Sequence, residues 1–241
     1  MSAELLRVER LSKRFGGFTA LQDVDLHVNA GERLGLIGPN GSGKTTMINC
    51  ISGALYNDEG RIRFAGEDIT RLPPFERARL GIARSFQIPR PFRSMSVLEN
   101  LRIPLEYAAR SRTEHRRIDD EAMEVLERIG LKKLAQAPSG SLTQVDMRKL
   151  ELARALAAKP QLLVSDEAMA GLSSSEVDEI LEILFTLNKG GVAVIMIEHI
   201  MRAVMRFSER IVVLDAGRKI CEGLPDDVCR DREVEKAYLG E

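Results

Sequence analysis

The run Gly38-Pro39-Asn40-Gly41-Ser42-Gly43-Lys44-Thr45 fits the pattern Gly-x-x-x-x-Gly-Lys-Thr, and it follows Arg33-Leu34-Gly35-Leu36-Ile37, an apolar stretch of the right length for a buried strand. Glycines at 38, 41 and 43 let the backbone turn tightly with no β-carbon in the way, so successive N–H groups can face a polyanion. Thr45-Thr46-Met47-Ile48-Asn49 reads as the first turn of a helix whose positive dipole end adds to that attraction. Lys44 then reaches the outer phosphate oxygens, and the Thr45 hydroxyl suits a magnesium ion. The pattern implies a nucleoside triphosphate held between Gly38 and Thr46, and a lysine and hydroxyl at this spacing make a ligand-free glycine turn an unsatisfying reading.

At 241 residues the chain is long enough for one large domain with an inserted lobe. A formal net charge of −1 gives no electrostatic basis for nucleic-acid binding, which normally needs a basic excess. Cys50, Cys221 and Cys229 are odd in number and lack a Cys-x-x-Cys pair, so neither a disulfide framework nor a zinc site is indicated. The first residues lack the apolar core of a signal peptide, and no apolar run approaches the ~20 residues of a membrane helix. A reducing cytoplasm and no membrane span are expected.

Leu5 to Leu11, Val24 to Val28 and Arg61 to Phe64 read as strands, the last after the turn signal Asn57-Asp58-Glu59-Gly60, and together they predict a small sheet wrapped around the phosphate loop. From Val97 to about Arg154 the spacing becomes helical, with Ile118, Ala122, Val125, Leu126 and Ile129 on one face. The basic run Arg110 to Arg117 is followed at once by Asp119-Asp120-Glu121 and reads as a solvated face. Gln161 to Ser165 and Val192 to Ile197 are uninterrupted apolar runs with β-branched content, as in central parallel strands. The alternation predicts an α/β core with a helical insertion.

Leu162-Leu163-Val164-Ser165-Asp166-Glu167 places two carboxylates at the end of such a strand, where side chains emerge beside a phosphate loop. Asp-Glu alone would more readily start a helix. With the phosphate loop present, Asp166 reads as the metal-holding group and Glu167 as the base that polarises an attacking water. Ile197-Glu198-His199 ends another apolar strand, and His199 draws notice only from its place relative to the other motifs.

The order of phosphate loop, Ser85-Phe86-Gln87, Arg148 to Leu156, acidic pair and histidine resembles the nucleotide-binding subunit of an ATP-binding cassette (ABC) transporter along essentially the whole chain. Arg14-Phe15-Gly16-Gly17, Asn49-Cys50, Ala83 to Gln87, Met95 to Leu101, Ala170-Gly171-Leu172 and the ending Ala237-Tyr238-Leu239-Gly240-Glu241 look most like the larger ATPase subunit of branched-chain amino acid importers. Similar subunits serve urea, amide and aromatic-compound importers and a lipopolysaccharide export machine. The resemblance implies a P-loop NTPase (RecA-like) α/β core with an N-terminal antiparallel β subdomain and an inserted helical subdomain. It implies one domain over 1–241, with core and β subdomain about 1–87 and 157–241 and the helical part about 88–156. The implied cofactors are ATP and Mg2+. The implied partners are a second ATPase subunit, membrane permease subunits and, indirectly, a solute-binding protein, at the cytoplasmic face of the membrane. Phe15 matches the adenine-stacking aromatic, Gln87 the glutamine that senses magnesium and water, His199 the γ-phosphate switch, and Ala170 to Ser173 the loop at a dimer interface. Pro89 to Phe92 resembles the docking surface for a membrane coupling helix.

One stretch departs from that pattern. Leu142-Thr143-Gln144-Val145-Asp146 stands where the signature Leu-Ser-Gly-Gly-Gln belongs, the segment that in the family caps the γ-phosphate held by the opposite subunit. Both glycines are gone, Val145 adds a stiff side chain, and Asp146 brings negative charge toward an anion. Ala168 also stands where the family usually has proline. The expectation is an asymmetric pair, with a competent site at this chain's phosphate loop and a slow or purely binding site opposite its own signature segment. An equivalent backbone shape with two working sites is the plainer alternative. An exporter ATPase or a non-hydrolysing regulatory subunit are the other functions to separate, Glu167 and His199 speaking against the latter.

Overall fold

The computed structural model describes residues 3–85, 90–107 and 115–239. Strands β1 (Glu4–Phe15) and β2 (Phe18–Asn29) form an antiparallel hairpin, and the chain then enters β3 (Arg33–Ile37), the phosphate loop and helix α1 (Lys44–Ser52). Strands β4 (Glu59–Phe64) and β5 (Glu67–Asp68) return to the hairpin in the order β2-β1-β4-β5. After α2 (Pro74–Leu80) and β6 (Ile82–Ser85), helices α3 (Val97–Tyr107), α4 (His115–Ile129) and α5 (Gln144–Ala157) pack on one another. The chain closes with β7 (Leu162–Asp166), α6 (Ser174–Lys189), β8 (Ala193–Ile197), α7 (Met201–Phe207), β9 (Arg210–Asp215), β10 (Arg218–Gly223), α8 (Pro225–Val228) and α9 (Arg232–Leu239).

The second sheet has the order β10-β9-β3-β8-β7-β6, parallel except for the β9–β10 hairpin at its edge. Its central strands are apolar along most of their length because both faces are covered, and the two-residue period of a strand sorts their side chains between two cores. Leu34, Leu36, Leu162, Val164, Ile195 and Ile197 join Met47 and Ile48 of α1 and the apolar face of the β1–β2–β4 sheet. Leu163, Val194, Met196, Ile211 and Val213 face the other way, onto α6, α7 and the packed helices. Ile118, Ala122, Leu126 and Ile129 are buried in that second core, as their spacing predicts. The N-terminal strands run well beyond their alternating cores, and β6 and the β9–β10 hairpin are additions that local patterning did not mark. Most of the basic run from Arg110 to Arg117 lies outside the described residues.

Arg77 is the largest fully buried side chain. Its guanidinium donates to the carbonyls of Leu72 (2.9 Å), Cys50 (2.6 Å), Ile51 (2.9 Å) and Thr70 (3.1 Å), two of them in the last turn of α1, where Cys50 O also accepts from the Gly53 N–H at 3.3 Å. Burial lowers its pKa, opposed by more distant negative groups. Gly53 ends α1 at φ +80°, and a Cβ there would lie 2.9 Å from Arg77 Nε. Asn57, buried, donates to the carbonyls of Glu59 and Gly60 at 2.9 Å each and so fixes the turn into β4. Gly53 and Asn57 are therefore framework positions.

Candidate active site

The phosphate loop leaves β3 at Gly38 and is pressed against the β2 and β9 backbones. A Cβ at Gly38 (φ +147°) would lie 2.0 Å from Leu214 O, and one at Gly43 (φ +104°) 2.7 Å from Ala20 O. Gly43 is the N-cap of α1 and supplies no side chain, and no acidic residue occupies the first turn. The leading amides of α1 are thus left for an external anion. Lys44 Nζ donates to the carbonyls of Gly38 (2.8 Å) and Pro39 (2.9 Å). Burial lowers its pKa, while the nearby carboxylates of Glu167 and Asp166 act in the opposite direction.

At the end of β7, buried Asp166 accepts from Arg84 Nη2 at 2.6 Å, and Arg84 Nη1 donates to Asn49 Oδ1 on α1 at 2.6 Å. A single arginine from β6 thereby ties the carboxylate strand to the phosphate-loop helix. Glu167 follows at φ +48°, a backbone state few side chains adopt, with its N–H donating to Ile197 O at 2.9 Å. That hydrogen bond registers β7 on β8 and brings His199 Nε2 to 3.2 Å from Glu167 Oε1. The Asp166 carboxylate, at the end of β7, and the Thr45 hydroxyl, in the first turn of α1, are the hard oxygen donors that a magnesium ion prefers. Gln87 lies outside the described residues.

Next to His199, Glu198 is buried and accepts from the Met169 N–H at 2.9 Å. Burial pushes its carboxyl up to about 7, helped by the negative charge of Glu167 and opposed by the Met169 amide and Arg148. Arg148, on α5, has its pKa lowered by burial and donates to Ala170 O at 3.3 Å. The loop from Ala168 to Gly171 is therefore held from one side by Glu198 and from the other by α5. At the start of α5, Thr143 is the N-cap: its hydroxyl accepts from Asp146 N at 3.2 Å and donates to Asp146 Oδ2 at 2.6 Å. Gln144 follows beside the loop, its amide nitrogen 2.8 Å from where a Cβ on Gly171 would be. Leu142 and Val145 are half-buried.

Phe15 ends β1 opposite Phe18, is 46% exposed, and has Lys13 Nζ 5.5 Å from its ring centre. Asp58 fixes this tip by accepting from Lys13 Nζ (3.0 Å) and the Arg14 N–H (2.6 Å). The structure thus gathers Lys44, Asp166, Glu167 and His199 at the adjacent ends of the loop, β7 and β8. Leu142 to Asp146 lie on the other side of the Ala168–Gly171 loop. Sequence reasoning missed Arg84, Asn49 and Glu198 as parts of this site, although each stands within a quoted motif.

A family model described as ABC transporter matches residues 21–170. The probable branched-chain amino acid transport ATP-binding protein LivG of Archaeoglobus fulgidus is 38% identical, over 98% of this chain and 96% of its own. The high-affinity branched-chain amino acid transport ATP-binding protein BraF of Pseudomonas aeruginosa is 38% identical over the whole of both chains. Among solved structures, a nucleotide-free ATP-binding cassette from an ABC transporter superposes with a TM-score of 0.89 at 36% identity, over 99% of this chain and 100% of that one. The ADP conformation of such a cassette gives a TM-score of 0.90 at 35% identity over both full chains.

Proposed function

Because the chain belongs to the ABC transporter family, we propose that it is the ATP-hydrolysing subunit of an importer for branched-chain amino acids or closely related small solutes. The relatives are named for branched-chain amino acid transport, which favours amino-acid solutes over lipopolysaccharide. The observation that carries the chemistry is the Glu167–His199 pair, 3.2 Å apart, at strand ends beside an uncapped α1. The amides from Asn40 to Thr46 and the Lys44 ammonium bind the phosphates, and Phe15 stacks on the base. Thr45 and Asp166 would hold Mg2+, with Gln87 as a further ligand by family resemblance; the ion would neutralise charge on the outer phosphates. Glu167 accepts a proton from the attacking water, and His199 orients that carboxylate and meets the γ-phosphate. Binding and release of nucleotide drive separate permease subunits from the cytoplasmic face, with a solute-binding protein on the far side. No helix among the described residues is long and apolar enough to cross a membrane, in keeping with a peripheral subunit.

The test is ATP turnover by the assembled complex. Glu167→Gln should keep ATP affinity while hydrolysis falls about 100-fold or more. Turnover that survives the substitution would remove Glu167 as base, and turnover indifferent to leucine, isoleucine and valine with the binding protein present would remove the assigned solutes.

The second ATPase subunit is proposed to be a different chain. Thr143 and Asp146 satisfy each other at the start of α5, so the carboxylate already occupies the helix end that a γ-phosphate from a partner would need. Restoring glycine at 144 and 145 together with Asp146→Gln should raise turnover in the complex. An unchanged rate would favour two equivalent sites.

A further inference from the structure

The terminal run Ala237-Tyr238-Leu239 carries part of the family resemblance yet has no part in the chemistry above. In the fold it reaches the phosphate loop across the whole length of the chain. The Tyr238 hydroxyl accepts a hydrogen bond from the Gly38 N–H at 2.9 Å. On the other side of the same residue, the Gly38 carbonyl accepts from Lys44 Nζ at 2.8 Å. We infer that Tyr238 is a positioning residue for nucleotide binding, a tether that holds the first residue of the phosphate loop in place when Lys44 lets go of it. This inference rests on ATP binding at that loop.

The helix that delivers Tyr238 is firmly seated. Asp231 Oδ1 accepts from the Glu233 and Val234 amides at 2.8 and 3.3 Å, and its other oxygen accepts from Cys221 Sγ on β10 at 3.5 Å. Val234 is buried against the larger core. Tyr238 itself is 46% exposed, so its ring adds modest burial and its hydroxyl is the specific element. Gly38 is confined on a third side, where a Cβ would meet Leu214 O at 2.0 Å. Lys44 must exchange the Gly38 and Pro39 carbonyls for phosphate oxygens when ATP enters, which removes one of the two side-chain anchors of this stretch. The Tyr238 bond does not compete with ATP, because it uses the Gly38 amide at the base of the loop. A loop kept in shape through that exchange loses less freedom on binding.

Tyr238→Phe deletes only the acceptor. In the full-length chain, calorimetry should give an ATP·Mg2+ affinity about five- to tenfold weaker, as expected for a partnerless amide in a preorganised loop. Thermal unfolding should move by no more than about 1–2 °C, and the complex should show a raised KM for ATP with kcat nearly unchanged. Without nucleotide, hydrogen exchange at the Gly38 amide should quicken while the remaining strands keep their protection. A chain ending at Ala237 should reproduce each of these results. Unchanged affinity and Gly38 exchange in Tyr238→Phe would overturn the tether, as would a loss seen on truncation but not in the phenylalanine variant. Should the unaltered chain fail to bind ATP, the family-based function falls instead, and the nucleotide-free exchange measurement still decides the tether.

Discussion

Two helices start on opposite sides of the Ala168–Gly171 loop, α1 at the phosphate loop and α5 beyond it, and they begin in opposite ways. Helix α1 has a glycine at its N-cap, no side-chain acceptor and no acid in its first turn; α5 has Thr143 at its N-cap and Asp146 at the third helical position. The first leaves its amides for a ligand, and the second satisfies them from within. Their other ends differ as well. The C-terminal carbonyls of α1 are gathered by the buried Arg77, whereas α5 is braced along its length, by Arg148 on the Ala170 carbonyl and by Lys149 Nζ on Glu179 at 2.7 Å. An open helix end needs support elsewhere, since phosphate is absent for part of any catalytic cycle, and the framework supplies it at the far end. A self-capped helix end is stable alone and correspondingly poor at receiving an anion.

The largest effect should come from removing the brace of the open helix. Arg77→Ala removes four hydrogen bonds to buried backbone carbonyls and should lower stability by about 3–5 kcal/mol, with Arg77→Lys recovering only part, as read by urea unfolding. A loss under about 1 kcal/mol would mean that α1 needs no such support. Next in size is the pH response beside α5. The folded Glu198 carboxyl keeps its proton up to about 7, against an ordinary value of 4.5. Its contribution is therefore fully present below 4.5 and is lost as pH rises through 7, on the order of 2–3 kcal/mol. Glu198→Gln has no proton to lose, so the fall in stability between about pH 5 and pH 8 should flatten; superimposable pH profiles would assign the titration elsewhere.

The contrast can also be transplanted. Thr46 occupies in α1 the third helical position that Asp146 occupies in α5. Thr46→Asp should therefore close the open end and weaken ATP binding about 30-fold with little change in stability, measured by calorimetry. Affinity within about twofold of the original would show that a carboxylate at this position does not compete with phosphate. The smallest effect is expected for Asp146→Asn, about 0.5–1 kcal/mol of stability and no change in ATP affinity of the isolated chain. A change in that affinity would place the two helix ends in one site of a single chain.

Much of the core was legible because β3, β7 and β8 are buried on both faces, which forces continuous apolar runs, and because the Gly38–Thr45 spacing has a chemical purpose. The α4 stripe was legible for a related reason: Ile118, Ala122, Leu126 and Ile129 repeat at the helical period. The capping pair was half visible, since a threonine followed three residues later by an acid is a local pattern, although its engagement of the Thr143 hydroxyl needed coordinates. Arg77, Arg84, Glu198 and Tyr238 were not legible in the same sense. Each acts on a backbone or side chain far away in sequence, from Gly38 to Tyr238 in the extreme case, and nothing in local spacing records such a partner. The β9–β10 hairpin escaped notice because its outer strand is polar, as an edge strand must be when it has water on one side.

Glu167 carries its carboxylate on a left-handed backbone, φ +48°, where asparagine or glycine would sit with less strain. The role proposed for Glu167 as base therefore opposes the preference of the main chain at that point, by about 1 kcal/mol. With Glu167 as the proposed base, Glu167→Gly should yield a protein that melts later and hydrolyses ATP about 100-fold or more slowly. A descendant freed from the need to hydrolyse would be expected to drift toward small residues here before anywhere else in the molecule, so the residue at this position alone would report whether a relative still works as an engine.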